Sequence, residues 1–241
     1  MASHPLRLLT LGTAMAVLCA AALPALAQTP AAPAAPAPLS GDEASYLIGV
    51  DFAAQLAQRG LSHDLSEAAI ARGIKDGLAG KKPSGEEQQR IARFVRDAVE
   101  ASAVRNEEAA KAFLAKNGKE KGVVTTASGL QYKVVTAGDP KGTAPLATDQ
   151  VTVHYRGKLL DGTEFDSSYA RGAPATFPLD GVIKGWTEGL QLMKPGAKAQ
   201  LFVPPDLAYG HAGRPSIPGG SLLIFDVELL SVAKPGTPAT P

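Results

Sequence analysis

Two hydrophobic patterns divide the chain. Between about residue 40 and residue 118, apolar residues recur three or four positions apart, which is the spacing of a helix face. From about residue 128 to residue 233, apolar residues alternate with polar ones or form short apolar runs, and Gly, Pro and Asp separate these stretches. The pattern predicts an α+β fold in which an all-helical segment precedes an antiparallel sheet.

The helical segment, residues 40–118, is predicted to contain three helices. The first, ASYLIGVDFAAQLAQRG, is apolar on two faces, so it needs cover from two sides. The second, DLSEAAIARGIKDGLAG, stops at Gly80. The third follows the capping-box sequence at Ser84 and Glu87 and continues to about residue 117. Its second half is mostly polar, which is typical of a solvent-bridging rod that links two domains.

Two interpretations of this segment remain open. Three helices from so short a segment bury only a thin core, and one interpretation is a small monomeric bundle. The other is a dimerisation unit, in which a second copy covers the first helix. Because two thin neighbours do not cover both apolar faces of that helix, we expect a homodimer through residues 40–118.

The strand-forming part, residues 119–233, is predicted to hold five or six antiparallel strands and one short helix near Lys184–Leu192. Asp161-Gly162 is a hairpin turn signal. The segment 181–190, GVIKGWTEGL, contains the only tryptophan of the chain. We interpret its glycines as turns that bring the short helix under a concave sheet.

The two ends of the chain have the composition of processed or unstructured segments. Residues 1–27 combine a weakly basic start, an apolar run and a small-residue site at Ala25-Leu26-Ala27, which predicts a secretory signal peptide. A membrane anchor is the alternative, but the apolar run is short for a span. Residues 28–39 are an Ala/Pro-rich linker, and residues 234–241 are predicted to be a disordered tail. We therefore expect a periplasmic or secreted protein.

Charge and residue usage exclude several kinds of function. Without Arg7, the only charged residue of the signal peptide, 23 basic residues balance 23 acidic ones, so no electrostatic attraction to nucleic acid is expected. The only cysteine, Cys19, lies in the signal peptide, which excludes disulfides and thiolate catalysis in the mature chain. His63, His154 and His211 are scattered, and no glycine-rich phosphate loop is present, so neither a metal nor a cofactor is expected.

The sheet region instead carries aromatic and aliphatic residues in glycine- and proline-rich stretches, with one carboxylate among them. For Phe177 and Phe225, which lie in strands, a core position is an adequate explanation. Trp186 and Tyr209 lie at element ends or in loops, where binding sites are usually built. The full set is Tyr155, Phe165, Asp166, Phe177, Val182, Ile183, Trp186, Tyr209, Ile217 and Phe225.

Several blocks of this region resemble the FKBP-type peptidyl-prolyl isomerases. They are VTVHYRGKLLDGTEFDSSYARGAPATFPL, GVIKGWTEGLQLMKPGAKAQLFVPPDLAYG and IPGGSLLIFDVELL, within residues 127–232. The stretch SYLIGVDFA and the long third helix resemble, less specifically, the dimerisation domain of the bacterial macrophage-infectivity-potentiator class. The resemblance implies a half-barrel sheet wrapped over a short helix, with the ligand pocket between them.

The resemblance also implies roles for the candidate residues. Tyr155, Asp166, Trp186 and Tyr209 would be catalytic, with Trp186 as the pocket floor. The substrate-binding residues would be Phe165, Phe177, Val182, Ile183, Ile217 and Phe225, and the Val182-Ile183 pair would supply backbone hydrogen bonds. Arg214 stands where some family members have His. The implied ligands are proline-containing unfolded or partly folded exported polypeptides and macrolide inhibitors, and no metal or cofactor is implied.

General chemistry makes such a pocket sufficient for an isomerase. Rotation about a peptide bond has a barrier of about 18–20 kcal/mol, and X-Pro bonds populate both isomers. The twisted amide of the transition state has a less polar carbonyl, so a dry aromatic pocket favours it over the ground state. The alternative is a dimeric holdase, a chaperone that binds unfolded chains and has incidental isomerase activity.

Overall fold

The first part of the described chain is helical. The computed structural model describes residues 38–234, so the predicted signal peptide, most of the linker and nearly all of the predicted tail lie outside the described residues. The helices are α1 (Gly41–Gln58), α2 (Glu67–Leu78) and α3 (Gly85–Asn117). At 1.5 Å per residue, the 33-residue α3 is about 50 Å long.

The start of α3 is capped as its sequence predicts. The Ser84 hydroxyl accepts a hydrogen bond from the Glu87 N–H at 3.2 Å, and the Glu87 carboxylate accepts one from the Ser84 N–H at 2.8 Å. These two bonds lower the pKa of Glu87 below its usual value. The reciprocal bonds satisfy backbone donors that the first helical turn otherwise leaves unpaired.

The helices α1 and α2 leave much of their apolar surface exposed. Neither helix has a buried residue, and Tyr46 is 71% and Leu78 87% exposed. A cavity of about 970 Å³ opens between the three helices. The apolar faces of α1 therefore find no cover within the described part of a single chain.

The second half of α3 is not the free rod that its polarity predicts. Ala98, Ser102, Ala103 and Ala110 are buried against the rest of the protein. Small side chains allow a neighbouring backbone to approach a helix closely. The pattern of polar and apolar residues does not reveal such contacts, because small residues make them and large apolar side chains do not.

Seven antiparallel strands form one open sheet, which confirms the α+β class and exceeds the predicted five or six strands by one or two. The strands are β1 (Val123–Thr125), β2 (Gln131–Ala137), β3 (Gln150–Lys158), β4 (Glu164–Ser167), β5 (Ala175–Pro178), β6 (Ala197–Val203) and β7 (Leu223–Ala233). Their order in the sheet is β1-β2-β6-β7-β3-β4. On the same edge of β3, β4 pairs with the C-terminal end of the strand and β5 with its N-terminal end.

One short helix, α4 (Lys184–Leu190), packs on the inner face of the sheet. Two of its glycines lie against β6: a Cβ at Gly185 would overlap Val203, and one at Gly189 would lie 2.9 Å from Leu201 Cδ1. Only Gly181, which ends a 3₁₀ turn, matches the interpretation of these glycines as turns. Gly185 and Gly189 are helical and allow α4 to approach the strand closely.

The main core lies between α4 and the sheet. Leu130, Val153, Leu190, Leu201 and Leu229 are completely buried there. No helix within residues 38–234 is both long and apolar enough to cross a membrane.

Candidate active site

A cavity of about 480 Å³ opens between α4, the β3–β4–β5 edge of the sheet and the loop that precedes β7. Every residue of the predicted set except Ile217 lines it. Ile217 is buried in the core cluster that contains Trp186, and it lines a neighbouring groove instead. The lining residues are Tyr155, Phe165, Asp166, Phe177, Gly181, Val182, Ile183, Trp186, Tyr209, Arg214 and Phe225.

Trp186 lies near the start of α4 and is only 4% exposed. Three aromatic rings meet its indole edge-to-face, with centroids 5.0 Å away for Tyr155, 5.2 Å for Phe225 and 5.8 Å for Phe177. Its Nε1 is the one buried side-chain N or O atom of residues 38–234 that lacks a hydrogen-bond partner. The indole is thus held by ring contacts rather than by its polar atom, in the geometry that aromatic quadrupoles prefer.

A second aromatic pair forms the wall beside β3. Phe165 and Phe225 meet edge-to-face at 5.6 Å. They lie over Gly157 of β3, where a Cβ would come within 2.7 Å of Phe165 and 2.9 Å of Phe225. A side chain at position 157 would therefore displace both rings.

The polar rim is a network of three side chains. The Tyr155 hydroxyl donates to Asp166 Oδ2 at 2.6 Å. The Arg171 guanidinium donates to Asp166 Oδ1 and to the Tyr155 hydroxyl oxygen, the latter at 2.7 Å, and it lies 5.4 Å from the centroid of the Tyr155 ring. The network orients the carboxylate and the phenol relative to the aromatic floor.

The network also sets the charge states at the rim. Burial opposes ionisation of Asp166, but the hydrogen bonds from Tyr155 and Arg171 outweigh it and lower the pKa of the carboxyl. Burial and the bond to Asp166 raise the pKa of the Tyr155 phenol. At neutral pH the rim therefore holds a carboxylate, a neutral phenol and a guanidinium.

Tyr209 and Arg214, from the loop that precedes β7, also line the cavity. Arg214 Nη1 donates to the Tyr209 hydroxyl oxygen at 2.9 Å, and its guanidinium lies 5.0 Å from the centroid of the Tyr209 ring. The phenol accepts this bond, so its own proton is free to donate to a bound carbonyl.

Val182 and Ile183 line the cavity and directly precede α4. The Ile183 carbonyl accepts the Trp186 N–H at 2.9 Å and the Thr187 N–H at 3.1 Å, which starts the helix. The backbone at Ile183 is extended, with φ −60° and ψ 148°. The N–H groups at a helix start have no acceptor within the helix, so the Ile183 N–H, unlike its carbonyl, lies outside the helical hydrogen-bond ladder.

The predicted set lacks Gly181 and Arg214, which line the cavity. A third missing residue, Arg171, completes the rim network. It is exposed and lies in the loop between β4 and β5, where a charged residue looks like an ordinary solvent contact. Its position five residues after Asp166 was the only available signal. His154, by contrast, contacts Ser168 at 3.0 Å and stacks on Tyr169, outside the cavity.

Comparison with known proteins identifies both parts of the chain. Residues 141–230 match the family described as "FKBP-type peptidyl-prolyl cis-trans isomerase". Residues 41–134 match the "domain amino terminal to FKBP-type peptidyl-prolyl isomerase". The chain is 43% identical over 218 residues to FkpA of Aeromonas hydrophila. The aligned region covers 85% of this chain and 81% of that protein.

The chain belongs to the FKBP-type peptidyl-prolyl cis-trans isomerases. It is 41% identical to the isomerase Mip of Coxiella burnetii, over 86% of this chain and 93% of Mip. Among solved structures, FkpA from Escherichia coli is similar, with a TM-score of 0.58 and 43% identity over 81% of this chain and 98% of that one. The predicted family and enzyme class are therefore confirmed, whereas the roles of individual FKBP-site residues stay predictions.

Proposed function

We propose that this isomerase accelerates X-Pro isomerisation during the folding of exported polypeptides, in the aromatic cavity around Trp186. The observation that carries the proposal is the cavity itself. A buried indole with three rings in edge contact forms an apolar floor, and one carboxylate network lies at its rim. This surface fits a prolyl ring with a peptide carbonyl beside it.

Catalysis in this cavity proceeds by differential binding. The prolyl ring packs on Trp186, with Phe177 and Phe225 as walls. The carbonyl before proline loses its amide resonance as it rotates, and the apolar surroundings favour this less polar state. Neither a proton transfer nor a covalent bond to the enzyme takes place.

Polar groups position the peptide around the rotating bond. Tyr209 donates its free hydroxyl proton to a substrate carbonyl, while the Val182-Ile183 backbone binds the adjoining peptide. Asp166, with its pKa lowered, stays ionised and holds Tyr155 toward the ring floor. Lowering the barrier by about 5–8 kcal/mol corresponds to about 10⁴–10⁶-fold acceleration.

Trp186 permits a direct test, because it is the only tryptophan of the chain. Titration of the full chain with a short X-Pro peptide is expected to change the intrinsic fluorescence saturably. A macrolide of the class that inhibits FKBP-type isomerases is expected to displace the peptide and to abolish isomerase activity. Peptide turnover without a fluorescence change, or without competition, would place the site elsewhere.

The exposed apolar surface of α1 supports a homodimer. Tyr46, Ile48 and Phe52 are exposed, and the cavity between the helices is lined by residues such as Ile91 and Phe94. A second copy that brings its own apolar helices would bury this surface from both sides.

A dimer with two cavities also supports the second candidate function, a holdase for unfolded chains. The two functions separate in aggregation-suppression assays with full-length variants. Trp186→Leu is expected to lose isomerase activity and to keep the suppression if the helical segment does the holding. Equal loss of isomerase activity and of aggregation suppression would mean that unfolded chains bind in the cavity and not to the helical segment.

Export of this protein is the remaining part of the proposal. It rests on the signal-peptide pattern of residues 1–27, and it places the isomerase in the periplasm or outside the cell. N-terminal sequencing of the exported protein is expected to begin at Gln28.

A further inference from the structure

The polar half of α3 contacts the loop that carries Tyr209 and Arg214. We call residues 208–222, between the 3₁₀ turn Pro205–Leu207 and β7, the 208–222 loop. Glu100, Ala103 and Glu107 are spaced three and four residues apart, so they lie on one face of α3. All three contact this loop.

His211 of the loop lies between two carboxylates of α3. Its Nε2 lies 3.0 Å from Glu100 Oε1, and its Nδ1 lies 2.8 Å from Glu107 Oε1. Carboxylates only accept hydrogen bonds, and only the imidazolium form of histidine has a donor on each ring nitrogen. Both contacts are therefore hydrogen bonds when His211 is protonated, and a neutral ring has to turn a lone pair toward one of the carboxylates.

Backbone contacts join the same two elements. A Cβ at Gly220 would overlap the Ala103 carbonyl, and one at Gly219 would lie 3.1 Å from Ala103 Cβ. The Asn106 amide donates to the Gly219 carbonyl at 2.9 Å. The loop thus packs directly on the helix backbone, and it has no room for side chains at positions 219 and 220.

Backbone hydrogen bonds within the loop connect the segment at His211 to the residues that line the cavity. The Gly220 N–H donates to the Gly210 carbonyl at 3.0 Å, and the Gly213 N–H donates to the Tyr209 carbonyl at 3.2 Å. Arg214 and Ile217 exchange two backbone bonds of 2.9 Å. Tyr209 and Arg214, which line the cavity, belong to this bonded unit.

We propose that His211, Glu100 and Glu107 are positioning residues of the isomerase, which dock the 208–222 loop on α3 and so place Tyr209 and Arg214 at the cavity when His211 is protonated. The helix is then part of the catalytic unit and not only a spacer. The inference rests on the proposed assignment of the cavity as the substrate site.

The direction of the pH effect follows from the contacts. The hydrogen bonds to Glu100 and Glu107 raise the pKa of His211 above its usual value. Because the pKa of His211 is raised in the docked state, its contacts with Glu100 and Glu107 stabilise the docked loop fully below the usual histidine pKa of about 6.5. This stabilisation is lost as the pH rises through the raised pKa.

Other charged groups lie on the elements around His211. After α1, Arg59 lines the groove next to the loop, together with Val99 and Ala212. On α3, Arg105 pairs with Asp64 of the α1–α2 connection at 3.0 Å. On the loop itself, Arg214 is held by the Tyr209 hydroxyl and ring. Of the charged groups in the described residues, Glu100 and Glu107 are the ones within hydrogen-bonding distance of the His211 ring.

The experiment measures kcat and KM of the full chain with an uncharged X-Pro peptide between about pH 5.5 and 8.5, the range in which histidine titrates. The variants are His211→Gln, which cannot be protonated, and Glu107→Gln, which removes one carboxylate. Glu108→Gln is the matched control, because Glu108 is exposed and lies next to Glu107. NMR follows the His211 imidazole and the Tyr209 ring in the same samples.

The KM of the wild-type chain is expected to rise by about fivefold or more across the His211 titration, the lower end of typical coupling between linked sites. His211→Gln is expected to show the high-pH KM at every pH, Glu107→Gln to move the midpoint to lower pH, and Glu108→Gln to match the wild type. A wild-type KM that stays flat while His211 titrates would overturn the inference. So would Tyr209 signals that do not follow the His211 titration, whatever the activity.

The assignment of the cavity is tested separately. If the Tyr209 signals and the KM respond to His211, but Trp186→Leu keeps full activity, the docking of the loop stands and the cavity assignment fails. If Trp186→Leu is inactive and His211→Gln behaves as the wild type at every pH, the cavity assignment stands and the positioning role fails.

Discussion

The Tyr155 hydroxyl donates to Asp166 Oδ2 across 2.6 Å, and Arg171 binds both partners. This contact joins β3 to β4 at the rim of the cavity, directly beside the Trp186 indole. It keeps a negative charge, paired with the Arg171 guanidinium, next to the aromatic rings of the cavity. The first two predictions concern this pair.

Asp166→Asn is expected to lower kcat/KM for an X-Pro peptide by about 10- to 100-fold, the equivalent of about 1.5–3 kcal/mol for a lost hydrogen bond to a charged group. The neutral amide no longer holds the phenol and the guanidinium together. The matched control is Asp226→Asn on β7, whose carboxylate accepts from Gln200 at 2.9 Å. Because side chains alternate along a strand, Asp226 faces away from Phe225 and the cavity. Equal losses in both variants would contradict a specific role of Asp166.

Stability in acid is expected to depend on the same carboxylate. The pKa of Asp166 is lowered in the folded protein, so its contribution is present above the usual aspartate pKa of about 3.9 and is lost as the pH falls through the lowered value. Urea unfolding below about pH 4 is therefore expected to show a steeper decline of the unfolding free energy for the wild type than for Asp166→Asn. Parallel declines would show that the contact has no effect on folding.

Trp186→Leu is expected to reduce kcat/KM by at least about tenfold, because the aliphatic side chain offers no flat floor and breaks the edge contacts with three rings. Trp186→Phe is expected to be intermediate, since it keeps an aromatic face. Peptide isomerisation and circular dichroism together separate lost activity from lost fold. Tyr169→Leu is the control outside the cavity, where the ring stacks on His154 at 4.6 Å, and it is expected to keep full activity.

Gly185→Ala is expected to destabilise the fold by about 1–3 kcal/mol, because the added methyl group overlaps Val203 on β6 and overpacks the core. Gly85→Ala at the start of α3 has open space around it and is expected to be neutral or slightly stabilising. Chemical denaturation of both variants makes the comparison. A similar change in both would mean that α4 moves away from the sheet without strain.

Ile48→Asp combined with Phe52→Asp is expected to convert the proposed dimer to a monomer at micromolar concentration, because the charges interrupt the exposed apolar face of α1. Analytical ultracentrifugation of the full chain checks this. Lys111→Asp on the exposed side of α3 is the charge control and is expected to leave the sedimentation unchanged. A wild-type chain that sediments as a monomer would remove the dimer altogether.

The sequence by itself predicted the helices, most strands of the sheet and the aromatic residues of the cavity. Helical periodicity and the Ser84–Glu87 capping box predicted α3 to within a residue, because caps and amphipathic faces are local properties. The aromatic residues, Trp186 and Phe165 among them, were found because large apolar groups in glycine- and proline-rich stretches indicate a binding site.

The tertiary structure decided which of these groups meet. In the folded protein, Arg171 lies at the rim and Ile217 is buried in the core beside the cavity. His211 contacts Glu107, which is 104 residues away along the chain. Gly185 proved to be a packing contact rather than a turn. Such relationships depend on close approach between distant segments, and no periodicity along the chain records which backbone a small residue will meet or which carboxylate a histidine will face.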